Sequence, residues 1–258
     1  MALLDTDTLS LGPLPFTLDD GIAHRAAIGL IVLATDHTIE HEWRQMLRLD
    51  GVAFYESRIM NSATITPETL REMEVGIADA TGVIRPGERL DVIAFACTSG
   101  AMVIGEEAVF ARIREARPGI ACTTPITAGI AGLKALGARR IALLTPYVDR
   151  INRMMREYIE ARGLAVPVMA SFNHEQDNEV ARISAASIEA AVGEIGARDD
   201  VDAVFVSCTS LRTVGLIEKL EARIGKPVTS SNHALAWHCL RLAGYAEPIT
   251  GLGRLMRL

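Results

Sequence analysis

The sequence has no CxxC pair, no run of basic residues and no apolar stretch long enough to cross a bilayer. Its four cysteines are scattered over 258 residues, which matches neither a disulfide framework nor a zinc knuckle. A cytoplasmic location with reduced thiols is the expectation. The formal net charge is −6, which argues against nucleic acid or an anionic membrane as the partner. The longest apolar stretches, such as 26–34, fall well short of the ~20 residues of a spanning helix. Asp5, Asp7, Asp19 and Asp20 precede any basic residue, the reverse of a secretory leader. Neither GxGxxG nor a P-loop occurs, so no nucleotide is expected. His37 and His41 stand four apart beside Glu40 and Glu42, but without the HExxH order or a third ligand they read as a polar helix face, and no metal is expected.

What is present is an ordinary enzyme-like balance, 49% hydrophobic and 22% charged, in a length that suits one large or two medium α/β domains. Residues 1–25 carry Gly12, Pro13 and Pro15 without a steady period and read as an extended arm. Beyond them, nearly continuous apolar runs at 27–34, 52–59, 91–97, 140–145, 165–171, 202–208 and 227–229 alternate with helix-period segments. The helical segments are 101–117, 148–162, 184–197, 211–224 and 232–243. Apolar runs of that kind are buried parallel strands, and their alternation with helices predicts an α/β fold.

The chain also repeats itself. DVIAFACTS at Asp91 returns as DAVFVSCTS at Asp202, an offset of 111 that carries Cys97 to Cys208, Thr98 to Thr209 and Ser99 to Ser210. The same offset carries Asp36, after the LIVLAT strand, to Tyr147, after IALLTP. After each CTS come a helix, a proline (Pro118, Pro227), a short polar-ended strand and a helix ending in LKALG or LRLAG. The ordered set predicts two similar parallel-sheet α/β domains related by a pseudo-twofold axis, with the site at their interface. The expected division is 26–125 plus 232–258 against 126–231. Ligands of doubly wound sheets bind beyond the carboxyl ends of the strands, which puts Cys97 and Cys208 on opposite walls of one cleft.

A strand-end Cys-Thr-Ser followed by a helix offers backbone N–H groups and the hydroxyls of Thr98, Ser99, Thr209 and Ser210 to a carboxylate. The same field favours thiolate. A thiolate facing a thiol can remove a proton from one side of a carbon and return one from the other. Taken singly, a strand-end cysteine is an inert buried residue; two in matching contexts point to chemistry. Cys239 reads as core, and so does Cys122, for which a place at the border of the cleft is the alternative. Gly100 and Gly105 permit close backbone approach to a ligand. Ser231, Asn232 and His233 read as the cap of the last helix, and Arg212 as solvent-facing.

Through ATDHTIEHE, ACTSGAMVIGE, LLTPY, SCTSLRT and SSNHALAWH, residues 26–245 resemble the aspartate/glutamate racemase superfamily. Within it they are most similar to the maleate cis-trans isomerase and arylmalonate decarboxylase group, and especially to decarboxylase-like proteins of ectoine-utilisation clusters. The resemblance implies no cofactor, a small carboxylate substrate and a possible homo-oligomer. It places the catalytic pair on Cys97 and Cys208, a substrate-binding tyrosine on Tyr147, and a substrate-binding asparagine on Asn178 with Asn173 as the rival. Arylmalonate decarboxylases have glycine where Cys97 stands, so both thiols together tilt the expectation toward isomerisation or racemisation. Maleate isomerases have asparagine where Asp36 stands; an aspartate there greets a substrate ammonium, caps the following helix, or does both. Two other readings stay open: a malonate-type decarboxylase with Cys208 as proton donor, and a non-catalytic carboxylate-binding module.

Overall fold

The computed structural model describes residues 11–258; the first ten residues of the expected arm lie outside the described residues. Residues 11–20 carry no helix or strand and are exposed. The first half then runs β1 (Ala26–Leu33), α1 (Ile39–Met46), β2 (Val52–Ile59), α2 (Pro67–Glu72), α3 (Ile77–Gly82), β3 (Val92–Phe95), α4 (Thr98–Ile104), α5 (Glu106–Ala116), β4 (Ala121–Thr123) and α6 (Pro125–Ala135). The second runs β5 (Arg140–Thr145), α7 (Asp149–Glu160), β6 (Ala165–Ser171), α8 (Asp177–Val180), α9 (Ala185–Gly196), β7 (Ala203–Val206), α10 (Ile217–Ile224), β8 (Val228–Ser230) and α11 (Ser231–Leu242).

The strands form two four-stranded parallel sheets, ordered β2-β1-β3-β4 and β6-β5-β7-β8. Raising each strand number by four turns the first order into the second, so the repeat in the sequence is a repeat of topology. The central strands β1, β3 and β7 are buried on both faces, which is why they lack the alternation of a half-exposed strand. Pro167 has no N–H to give a ladder and lies in edge strand β6, beside the register shift between Arg140 and Ala142.

The aspartate that opens each repeat motif is structural. Asp91 Oδ2 accepts the Ala27 N–H at 2.8 Å; Asp202 Oδ2 accepts the N–H groups of Arg139 and Arg140 at 3.1 and 2.8 Å. Each carboxylate pins the start of the neighbouring central strand and so sets the register that carries the two cysteines to the far end.

The helices after β4 and β8 change places. α6 packs on β7 and β8, whereas α11 packs on β3, β4 and α1, and the two helices pack on each other. The contact between α6 and the second sheet is close: a Cβ on Gly129 would stand 2.7 Å from the Phe205 ring. This exchange is the packing on which we propose dividing the chain at 125/126 and 231/232. Among the described residues, no helix is long and apolar enough to cross a membrane.

Candidate active site

Cys97 and Cys208 each follow their strand by two residues, at the carboxyl ends of β3 and β7. Both line a single narrow cavity, together with Thr98, Ser99, Tyr147 and Thr209. Leu33, Ile65, Leu70 and Met73 make an apolar wall, and Asn61, Ser62, Thr69 and Asp177 complete the lining. Both cysteines are buried, at 4% and 5% exposure, and free of disulfide.

The two halves of the site are not copies in detail. Cys97 caps α4, and its Sγ accepts the Gly100 N–H at 3.2 Å. After Cys208 no α-helix begins until Ile217, and Cys208 itself adopts φ 120°. The expectation of a helix directly after both CTS motifs is thus corrected for the second, where residues 209–213 form a turn. The first helical segment also begins earlier than expected and breaks at Gly105, at φ 98°.

That turn is held from a distance. Glu42 on α1, 3% exposed, accepts the backbone N–H groups of Thr213 and Val214 at 2.5 and 2.7 Å. Its other oxygen accepts Asn232 Nδ2 at 2.7 Å, and the same amide nitrogen donates to the Thr209 carbonyl at 2.8 Å. Burial pushes Glu42 up to about 7 against the N–H groups that favour its charge.

The residues at the head of α11 do more than cap. The cap is Ser230, whose side chain accepts the His233 N–H. Ser231 Oγ accepts the Cys208 N–H at 2.9 Å and lies 2.8 Å from Thr98 Oγ1, so one hydroxyl ties the two strand ends together. His233 is fully buried between Thr229 Oγ1 and the Leu252 carbonyl, and burial lowers its pKa to about 4.

Desolvation governs the thiols. Burial pushes Cys97 up to about 12, against the Gly100 N–H, and the charge of Asp177 adds to the rise. Cys208 is also raised, by burial first and Asp177 second, while the Ser210 N–H and the Tyr147 hydroxyl pull it down. The expectation of a field that favours thiolate is therefore corrected: one or two N–H donors do not offset full desolvation. Tyr147, 2% exposed, lines the cavity with both cysteines, and burial first and the neighbouring Cys208 and Cys97 second push its hydroxyl pKa up. Its loop is held by Asn152 Nδ2, which donates to the Tyr147 carbonyl at 2.6 Å.

Three expected residues sit elsewhere. Asp36 is buried but does not line the cavity; its Oδ1 accepts the N–H groups of Thr38 and Ile39 at 2.7 and 3.0 Å, although the formal cap of α1 is Thr38. Burial raises Asp36 to about 6, and Oδ2 is buried without a hydrogen-bond partner among the described residues, although the Thr209 side chain helps to lower the pKa. Ser210 is buried behind the lining, with its Oγ donating to Asp177 Oδ1 at 2.7 Å. Asn178 and Asn173 are both exposed, and the cavity receives Asp177 instead. The cause is a short crossing: Thr64 and Gln176 form an antiparallel bridge, and the Asp177 N–H donates to the Ala63 carbonyl at 2.9 Å. That pairing turns Asp177 inward and Asn178 to solvent. Cys122 is half-buried outside the cavity, Cys239 is core, and Arg212 is exposed.

The chain and its fold are similar to those of known enzymes. A model of the arylmalonate decarboxylase family matches residues 28–256. The chain is 37% identical to an arylmalonate decarboxylase of Bordetella bronchiseptica over 55% of its own length and 60% of that protein's. It is 30% identical to a maleate isomerase of Nocardia farcinica over 89% of its length and 95% of that protein's. A structure of a Nocardia farcinica maleate cis-trans isomerase variant, cysteine to serine, with a covalently bound succinylcysteine intermediate superposes with TM-score 0.81 at 27% identity, covering 90% of this chain and 98% of that one. An arylmalonate decarboxylase variant with one glycine changed to cysteine and one cysteine to serine gives TM-score 0.79 at 29% identity, covering 89% and 98%. With two equivalent half-units, a strand-end cysteine from each in one cavity and a match along nearly the whole fold, the chain belongs to the arylmalonate decarboxylase family.

Proposed function

We propose that the chain is a cofactor-independent isomerase or racemase acting at the carbon next to the carboxylate of a small carboxylic or amino acid. The observation that carries this reading is the placement of Cys97 and Cys208, from equivalent strand ends, in the lining of one cavity together with Tyr147. In this reading one cysteine, as thiolate, takes the proton or adds to the substrate carbon, and the other, as thiol, delivers a proton from the opposite side. Thr98, Ser99, Thr209 and Tyr147 hold the carboxylate and its developing charge. Burial and the charge of Asp177 oppose ionisation of both thiols, so in this reading the substrate's own contacts help to form the thiolate. A covalent cysteine adduct has precedent in the succinylcysteine form of the Nocardia relative.

The family match also supports a second reading, decarboxylation of a malonate-type acid with Cys208 as the proton donor. The two separate in heavy water. Isomerisation or racemisation puts deuterium into recovered substrate; decarboxylation releases carbon dioxide. With purified protein, Cys97→Ala and Cys208→Ala each lower exchange by about 10²–10⁴-fold, the scale of a lost acid or base, while the melting transition persists. Full exchange activity in Cys97→Ala ends the two-thiol reading.

A further inference from the structure

The cavity has a buried carboxylate and, among the described residues that line it, no cation to meet it. Asp177 is 4% exposed and lines the cavity with both thiols. Its Oδ2 accepts Thr35 Oγ1–H at 2.5 Å and its Oδ1 accepts Ser210 Oγ–H at 2.7 Å. Thr35 Oγ1 also accepts Asn61 Nδ2–H at 2.8 Å, and its single proton goes to the carboxylate, which when ionised only accepts. Two hydroxyl donors leave each carboxylate oxygen a further lone pair. Among the described residues that line the cavity, none is lysine, arginine or histidine. Arg58 approaches the same loop from outside, but its guanidinium is engaged with the carbonyls of Leu33 and Asp36 and with Glu40. Behind Thr209 lies a second buried acid, Asp36, whose Oδ2 has no hydrogen-bond partner among the described residues.

A buried carboxylate held by neutral donors is stabilised most by a cation arriving beside it. A dicarboxylate entering the same space brings two further negative charges to a wall that supplies only hydroxyl and amide donors. We propose, building on the reading of a two-thiol carboxylate enzyme, that the substrate carries an ammonium group that pairs with Asp177, which makes it an amino acid rather than a plain dicarboxylic acid. The Asp177 charge opposes ionisation of both Cys97 and Cys208. An ammonium bound against Asp177 cancels that opposition, so the correct substrate favours the thiolate that its own turnover requires. A plain dicarboxylate leaves it in force.

Binding tests this without turnover. Thermal stabilisation and calorimetric affinity are measured for D- and L-aspartate and D- and L-glutamate against succinate, maleate and glutarate, with sodium chloride as the cation control. The expected result is stabilisation by one of the amino acids beyond every dicarboxylate, and its loss by about tenfold or more in affinity in Asp177→Asn, which gains in relative preference for the dicarboxylates. Equal or weaker stabilisation by the amino acids, including none from any compound, overturns the proposal, as does an Asp177→Asn variant with unchanged preference. Should that variant not fold, the wild-type preference alone decides. Amino-acid preference without hydrogen exchange at the α-carbon sinks the isomerase reading and leaves this one standing. Thiol-dependent exchange on dicarboxylates, with no preference for an amine, does the opposite.

Discussion

The Ser231 hydroxyl accepts the backbone N–H of Cys208 at 2.9 Å, and the same oxygen lies 2.8 Å from Thr98 Oγ1. A residue at the head of the last helix thereby fixes the distance between the two cysteine-bearing strand ends. Ser231→Ala leaves the Cys208 N–H buried and unpaired, at a cost of about 1–3 kcal/mol. Denaturant melts should show that loss. The hydrogen-exchange rate on whichever substrate is identified should fall further than binding, because geometry between the thiols is what is lost.

Cys208 stands at φ 120°, a region that L side chains rarely adopt. Strain of this kind costs about 1–3 kcal/mol, and glycine at such a position escapes it at a smaller entropic cost. Both Cys208→Gly and Cys208→Ala remove the thiol, yet the glycine variant should unfold at higher denaturant, by about 1 kcal/mol. An alanine variant of equal or greater stability would show that the backbone there relaxes without cost.

Gly100 donates its N–H to Cys97 Sγ, and a Cβ placed on it would stand 2.6 Å from Met73 Cε and 2.8 Å from that sulfur. The end of Met73 can swing away; the sulfur moves only by leaving its position in the cavity. Gly100→Ala should therefore lower kcat by about 10²-fold, the scale of an ångström misplacement, while the melting temperature changes little. Unchanged kcat would mean that the thiol position is not critical.

Glu42 is raised from 4.5 to about 7 and Asp36 from 3.8 to about 6, both by burial. Because each folded pKa lies above the unfolded one, the native state holds more protons across that window and stability falls as pH rises through it. The contribution is complete below about pH 4 and is lost by about pH 7–8, on the order of 3 kcal/mol for Glu42 alone. Urea melts between about pH 5 and 8 should show the decline, and Glu42→Gln should flatten it. A variant with the wild-type slope would remove Glu42 as its source.

Much of the architecture was legible without coordinates, and for local reasons. Runs such as LIVL, VIAF and AVFV are apolar on both faces only because strands buried between helix layers have no solvent side. The offset of 111 residues marked both cysteines because each repeat ends its central strand on the same motif. Strand ends in parallel sheets are where ligands bind, which marks Cys97, Cys208, Thr98, Ser99 and Thr209 from the sequence alone, and the family resemblance adds Tyr147.

Tertiary structure alone decided the rest. The family resemblance pointed to Asn178, with Asn173 as its rival, yet the residue that lines the cavity is Asp177, beside the Thr64–Gln176 bridge; inward and outward neighbours in a loop have no period to separate them. The second CTS motif looks like the first, but it leads into a turn stapled by Glu42, whose partners lie 171 and 172 residues away. The thiols' resistance to ionisation is equally nonlocal: it arises from burial by both halves and from Asp177. Apolar pattern and repetition are properties of neighbouring residues, which a chain displays along its length; desolvation and charge at a point depend on everything folded around it.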